Sequence, residues 1–334
     1  MKKTEINSIL KVFVTDLLFW TYFFGCVYYL IHHWSGLILN TVIVVIAGFS
    51  FTIIFSALGI SIGRTVHLPT EKTKLKWYKT FWAWSFIAIL FLTLMVGWNM
   101  VGVNPYKFFT KFGNARGIMT GLFNPNIDII GICLSALAET IYLALLATLF
   151  AIPFAFVLSF FAARNLMPKT LLGNTVYLVI RTIATLFRSI EAIVWAIIFS
   201  VWVGIGPFAG MLALMVHSIA ALTKLYSEQL ENIDDGPVEA ITATGASTLQ
   251  VWIFAIIPQI ISPYLAFTIY RWDINVRMAT IVGFVGGGGI GLLLLQQQQL
   301  LRWQNVGLII WMIAAVVWIM DMTSAKVREK LLEK

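Results

Sequence analysis

The sequence predicts an all-α polytopic membrane protein that crosses the bilayer about eight times. Three observations point there. Of 334 residues, 60% are hydrophobic and only 11% are charged, and the mean hydropathy of +0.88 is far from the balance of a soluble domain. The apolar residues lie in long runs. The 23 Lys and Arg residues fall in short clusters between those runs rather than along one face, so the formal charge of +8 reads as membrane topology and not as a nucleic-acid footprint.

A hydrocarbon core about 30 Å thick needs roughly 20 mostly apolar residues per helical crossing. The first run, 10–31, follows a basic N-terminus as in a signal peptide but has no small-residue cleavage site, so it reads as a retained anchor. Further spans are predicted at 37–60, 81–98, 130–161, 188–204, 208–225, 262–284 and 304–321. The stretch 170–187 is interrupted by Arg181 and marginal in length, and is assigned to an amphipathic helix on the membrane surface. With the N-terminus inside, Lys2, Lys3, Lys11, Arg64, Lys72, Lys74, Lys76, Lys79, Arg164, Lys169, Arg181, Arg188, Lys224, Lys326, Arg328, Lys330 and Lys334 are cytoplasmic. Only Lys107, Lys111, Arg116 and Arg302 are outside, while Arg271 and Arg277 lie within a span. This bias supports an even number of crossings with both termini in the cytoplasm. Counting 170–187 as a crossing would invert the second half and spoil it.

Asn104, Pro105, Gly113, Gly117, Gly121, Asn124 and Pro125 punctuate the segment 99–129, which is expected to break regular structure as an outer loop. It separates an N-terminal three-span region, 1–98, from a five-span region, 130–325, and a cytoplasmic tail, 326–334. Cys26 and Cys133 lie inside apolar runs and read as small core residues, with no disulfide framework or metal cluster. His32 and His33 sit at a span end without further ligands and read as interfacial. The run of glutamines at 296–299 is too short to carry a function.

Between the sixth and seventh spans, 231–246 reads ENIDDGPVEAITATGA. Asp234 or Asp235 can cap a helix starting near Pro237, and Gly245 can end it. The expectation is a helix of about two turns projecting into the cytoplasm. Glu228, Glu231, Asp234, Asp235 and Glu239 make this region acidic, with no Lys or Arg from 227 to 258.

The loop resembles the coupling loop of ABC importer permeases, whose pattern is Glu-Ala-Ala, three residues, Gly, nine residues, Ile, one residue, Leu-Pro. Glu239, Ala240, Gly245 and Pro258 fall at the matching spacing; Ile241, Ala255 and Ile257 are apolar replacements. Four stretches are similar to the phosphonate-type permeases in particular: YRWDINVR at 270–277, ATIVGFVGGGGIG at 279–291, RSIEAIVWAIIF at 188–199 and GIGPFAGMLALMVH at 204–217. The resemblance covers about residues 100–325 and leaves the first three spans unmatched. It implies a type I ABC importer permease core of five spans plus cytoplasmic coupling helices, with three extra N-terminal transmembrane helices. It further implies a homodimer in the bacterial inner membrane, two cytoplasmic ATPase subunits and an extracytoplasmic substrate-binding protein. The cargo would be phosphonate or a related phosphorus oxyanion such as phosphite, phosphate or a phosphate ester. ATP and Mg would belong to the ATPase, since this chain has no Gly-x-x-x-x-Gly-Lys-Ser/Thr loop and reads as a permease rather than an enzyme. The acidic loop predicts a basic rim on the partner's groove. A permease for another small solute is the alternative; an ion-coupled secondary transporter is opposed by the coupling loop. A membrane-embedded enzyme is opposed by the lack of a nucleophile, base and metal constellation.

A charge at mid-span costs roughly 2.5–3.5 kcal/mol on insertion scales, so Arg271, Asp273 and Arg277 call for a use. Asp273 and Arg277, four residues apart, can form a structural ion pair. Arg271 and Asn275 lie about 160° around the helix from that stripe. Two readings of Arg271 stand: with Asn275 it faces the translocation path and favours an oxyanion, or it pairs with Glu191 or Glu139 on another span. His217 lines the path or is a hydrogen-bonded interior residue. Arg188 and Glu191 open the fifth span as part of an inner gate or as a helix-end ion pair. Gly286, Gly288 and Gly291 formally match a dinucleotide fingerprint, but a membrane span precedes them where a strand is required. They are expected to form a flexible outer turn where backbones pack closely at the gate.

Overall fold

A computed structural model describes residues 3–32, 37–58, 61–67 and 81–332. Lys2, His33, Lys72, Lys74, Lys76, Lys79 and Lys334, which carry part of the sequence-based orientation and span-end assignments, lie outside them. The described residues contain helices and no strand, and the chain divides into two compact units, Met1–Lys111 and Phe112–Lys334.

The N-terminal unit holds α1 (Lys3–His32), α2 (Leu37–Ala57), α3 (Ile62–His67), α4 (Phe81–Val101) and α5 (Pro105–Thr110). Lipid is as apolar as leucine, so membrane helices associate through close packing and polar contacts rather than hydrophobic exclusion. Both devices occur here. Gly48 lies on the Thr21 backbone and Gly63 on that of Val12, with no space for a Cβ. Asp16, 3% exposed on α1, accepts from Ser61 Oγ at 2.5 Å and from the Gly63 N–H at 2.8 Å. This buried carboxylate pins the start of α3 to α1. Tyr22 Oη and Thr93 Oγ1, 2.8 Å apart, tie α4 to the same helix.

The C-terminal unit is built on α7 (Ile130–Ala162) and α10 (Pro207–Glu231). Ala144, Ala147, Thr148, Ala151 and Ala155 form a buried small-residue stripe on α7 at helical spacing, and Ala209, Ala213 and Ala220 do so on α10. Small side chains let the backbones approach closely, which is the main attraction available in lipid. α13 (Ile257–Gly283) and α15 (Trp303–Leu332) complete the packing.

Seven helices in the described residues are long and apolar enough to cross a membrane, and an eighth crossing is counted if one bent pair acts as a single span. That pair corrects the predicted fifth span, 188–204. α8 (Leu171–Ser189) and α9 (Ala192–Val203) meet at 90°, and the 12 residues of α9 reach only about 18 Å at 1.5 Å per residue. Arg188 therefore ends α8 and Glu191 precedes α9, instead of both opening one straight span.

One further region differs from expectation. Within 99–129, Gly117 and Gly121 were read as breakers, yet they lie inside α6 (Arg116–Phe123). Gly121 packs on the Trp303 carbonyl, and Gly307 of α15 packs on the Gly121 carbonyl. The Trp311 indole N–H also donates to the Leu122 carbonyl at 2.9 Å. These glycines permit helix contact. The segment around the glutamine run is likewise helical, as α14 (Gly289–Gln299).

Candidate functional site

The loop after α10 forms the expected short helix, α11 (Asp235–Ala243). Asp234 is its N-cap, its Oδ1 accepting from the Gly236 N–H at 3.0 Å, and Gly245 ends it at φ +80°, a conformation glycine adopts without Cβ strain. Gln259 accepts from the Asp234 N–H at 2.9 Å and donates to the Ala255 carbonyl at 2.9 Å, fixing the helix to the start of α13. Glu239, Ala240, Gly245 and Pro258 are all exposed. Pro258 lies in the first turn of α13, where its missing N–H is tolerated, directly after a π-helical segment, Trp252–Ile256.

The acidity of this region is largely spent within the chain. Glu231 Oε1 accepts from Arg181 Nη1 at 2.6 Å and from the Arg164 N–H at 2.9 Å. This joins α8 to the C-terminal end of α10. Glu228 lies 3.5 Å from Lys224, and Asp234 caps. Asp235 and Glu239 remain, exposed and one helical turn apart.

A second site lies at the bend between α8 and α9. A cavity of about 380 Å³ is lined by Arg188, Ser189, Glu191, His217, Ala221, Leu225, Tyr270 and Arg271. A larger hollow of about 670 Å³ in the N-terminal unit has no charged lining residue, and one of about 410 Å³ before α8 is lined by Arg164 and Lys169 without a carboxylate. His217 is 8% exposed; its Nδ1–H donates to the Ile190 carbonyl at 3.1 Å, holding the chain break in place while the ring also lines the cavity.

Arg271 is 6% exposed. Its Nε donates to Ser218 Oγ at 3.0 Å, and its Nη2 has no hydrogen-bond partner. Ser218 is held in turn by Asn275, whose amide nitrogen donates to Ser218 Oγ and to Thr148 Oγ1, both at 2.8 Å. Asn275 is fully buried, so its expected place on the path is corrected. One helix stripe carries both residues, but the long arginine reaches the cavity and the short amide stays between α7 and α10. The alternative pairing of Arg271 with Glu139 is also corrected: it is not among the ion pairs of the described residues, and Glu139 Oε1 instead accepts from the Gly289 N–H at 3.2 Å. Glu191 shares the cavity with Arg271 but forms no ion pair with it within 4.0 Å; among the described residues the pairs are Arg181–Glu231, Lys224–Glu228, Arg277–Asp273 and Arg277–Asp321.

Asp273 and Arg277 bond to each other, and Asp321 Oδ1 of α15 lies 4.0 Å from Arg277 Nη2. Gly286, Gly288 and Gly289 have φ of +91°, +78° and +67°, and the turn they form is packed, against Ile205, Pro207, Glu139 and Thr140. Gly291, inside α14, lies on the Thr280 carbonyl and on Gly283 of α13. The close backbone approach expected of these glycines is present.

Residues 155–324 match the model of the binding-protein-dependent transport system inner membrane component family. The chain belongs to that family. The match runs from the last two turns of α7 into α15 and contains α11 and the polar cavity. This permease is 31% identical over 240 residues to the putative phosphite transport system permease protein HtxC of Stutzerimonas stutzeri, covering 72% of the permease and 84% of the relative. It is 36% identical over 193 residues to the phosphite transport system permease protein PtxC of the same organism, covering 58% and 69%. An inward-facing structure of the MetNI methionine ABC transporter aligns with a TM-score of 0.53 at 19% identity, covering 62% of the permease and 99% of that chain. At that identity the likeness fixes the fold, a type I ABC importer permease core. The permease is a multi-pass inner-membrane protein of the phosphonate type.

Sequence reasoning passed over Ser218 and Thr148, which orient Arg271 and Asn275. The available signal was a small polar residue within each apolar span, where a hydroxyl needs a partner in lipid.

Proposed function

We propose that the permease forms the membrane path of an ATP-driven importer for a phosphorus oxyanion: phosphonate, phosphite, phosphate or a phosphate ester. The observation that carries this reading is Arg271, a buried cation outside every ion pair among the described residues, which lines a polar cavity together with Arg188. An unpaired buried guanidinium is costly, and an anionic guest removes that cost by accepting its hydrogen bonds. The relatives named for phosphite transport support the same chemistry.

Two copies of the permease enclose the path, with both termini in the cytoplasm and an external binding protein delivering cargo. Two ATPase subunits, which hold ATP and Mg, receive α11 in a groove. Their closure moves α11, with Glu239 and Ala240, together with the Gly245 that ends it and, through Pro258, the start of α13, alternately exposing the cavity to each side. Arg188 and Glu191, at the α8–α9 bend, lie where such a motion changes access, and the turn at Gly286–Gly291 forms the outer closure.

Arg271→Met tests the path. In vesicles containing permease, ATPase and binding protein, uptake of labelled phosphite is expected to fall about 10- to 100-fold, the loss of one charge-assisted hydrogen-bonding group, while assembly of the complex is unchanged. Uptake at the normal rate in an assembled complex would overturn the oxyanion path.

A further inference from the structure

Glu191 is the member of the polar cavity that an anion path does not explain, because a carboxylate repels every anion entering beside it. It takes the N-cap position of α9 yet makes no side-chain capping bond. It is exposed, and it belongs to none of the ion pairs among the described residues. Its charge acts on Arg271 across the cavity without a direct ion pair. The guest that satisfies Arg271 and Glu191 together must offer a negative oxygen to one and a hydrogen-bond donor to the other. A partly protonated phosphorus oxyanion has both, a P–O⁻ and a P–OH.

We propose that Glu191 is a specificity-determining residue that accepts a hydrogen bond from the P–OH of a partly protonated phosphorus oxyanion and thereby rejects sulfate. The inference rests on the oxyanion path proposed above. The groups facing Glu191 in the cavity are Arg188 from α8, His217 from α10, and Tyr270 and Arg271 from α13. Among these five groups Glu191 is the only carboxylate. His217 is engaged through Nδ1 by the Ile190 carbonyl and Arg271 through Nε by Ser218, which leaves the cavity-lining Arg271 guanidinium and the Glu191 carboxylate as a donor and an acceptor for one guest. Sulfate at neutral pH is a dianion without a proton, so at Glu191 it meets a like charge and gains no hydrogen bond. Inorganic phosphate keeps a P–OH even as its dianion. Phosphite and alkylphosphonates keep one only as monoanions, so their binding weakens as pH rises past their second ionisation.

The test is equilibrium binding of labelled phosphate and labelled sulfate to the permease–ATPase complex without the external binding protein, which removes that protein's own selectivity. The unmodified complex is expected to favour phosphate over sulfate by about 10- to 100-fold, the range of one hydrogen bond to a charged group. Glu191→Gln is expected to bring the ratio close to one, chiefly by a gain in sulfate binding, and Glu191→Asp to retain much of the preference. A gain of function excludes misfolding as the cause. If phosphate binds, Arg271→Met abolishes it and Glu191→Gln leaves the ratio unchanged, the path reading survives and the role of Glu191 falls. If the unmodified complex binds neither anion, both fall.

Discussion

Arg277→Met and Asp273→Asn remove opposite halves of one ion pair, and the structure makes their costs unequal. The Asp273 side chain is 1% exposed, whereas that of Arg277 is 43% exposed. Asp273 Oδ1 has no hydrogen-bond partner, so its carboxylate depends on Arg277 alone, while Arg277 has a second carboxylate, Asp321, at 4.0 Å. Losing Arg277 strands a buried charge, a change that costs about 3–5 kcal/mol. Losing the charge on Asp273 leaves Arg277 with Asp321 as its remaining carboxylate, so no buried charge is stranded and the loss is smaller. Thermal unfolding of the purified permease in detergent is expected to show Arg277→Met well below Asp273→Asn. The double variant should unfold close to Asp273→Asn, because the stranded charge is gone, giving a strongly non-additive cycle. Equal shifts for the two single variants, or additive shifts in the double, would refute the reasoning.

How far the sequence reveals this architecture depends on whether a residue's environment is set by its own helix or by a neighbour. The long apolar runs that become α1, α2, α4, α7, α10, α13 and α15 are legible, since twenty apolar residues have few other solutions in a bilayer. The break before α9 is not. Ser189 and Ile190 contain neither glycine nor proline, and the Ile190 carbonyl is held by His217 of another helix. Gly117 and Gly121 mislead in the opposite sense, because a glycine that admits a neighbouring backbone looks like one that ends a helix. At the polar cavity, the cost of charge in lipid singles out Arg271 by residue type alone. The wheel that groups it with Asn275 gives direction and not reach, so the buried Thr148–Asn275–Ser218 network emerges only from the packing of α7 and α10.

Two further outcomes concern α11. Gly245→Val forces a β-branched residue to φ +80°, which costs about 1–3 kcal/mol in strain; the permease is expected to accumulate in the membrane while substrate-stimulated ATP hydrolysis by the complex falls. Asp235→Lys combined with Glu239→Lys tests the docking charge. Glu228 and Glu231 already serve Lys224 and Arg181 and Asp234 serves the N-cap, so Asp235 and Glu239 are the two loop carboxylates without an internal duty. Rim charges act mainly on association rate and its salt dependence. The double reversal is therefore expected to slow assembly with the ATPase by about 10-fold at low ionic strength, with the difference shrinking as salt is added. Acidic substitutions in the basic rim expected on the ATPase groove should restore it. Glu228→Lys, in the same loop but with its charge already matched by Lys224, is the control. If it slows assembly as much as the double reversal does, the effect comes from overall loop charge and α11 is not the docking face.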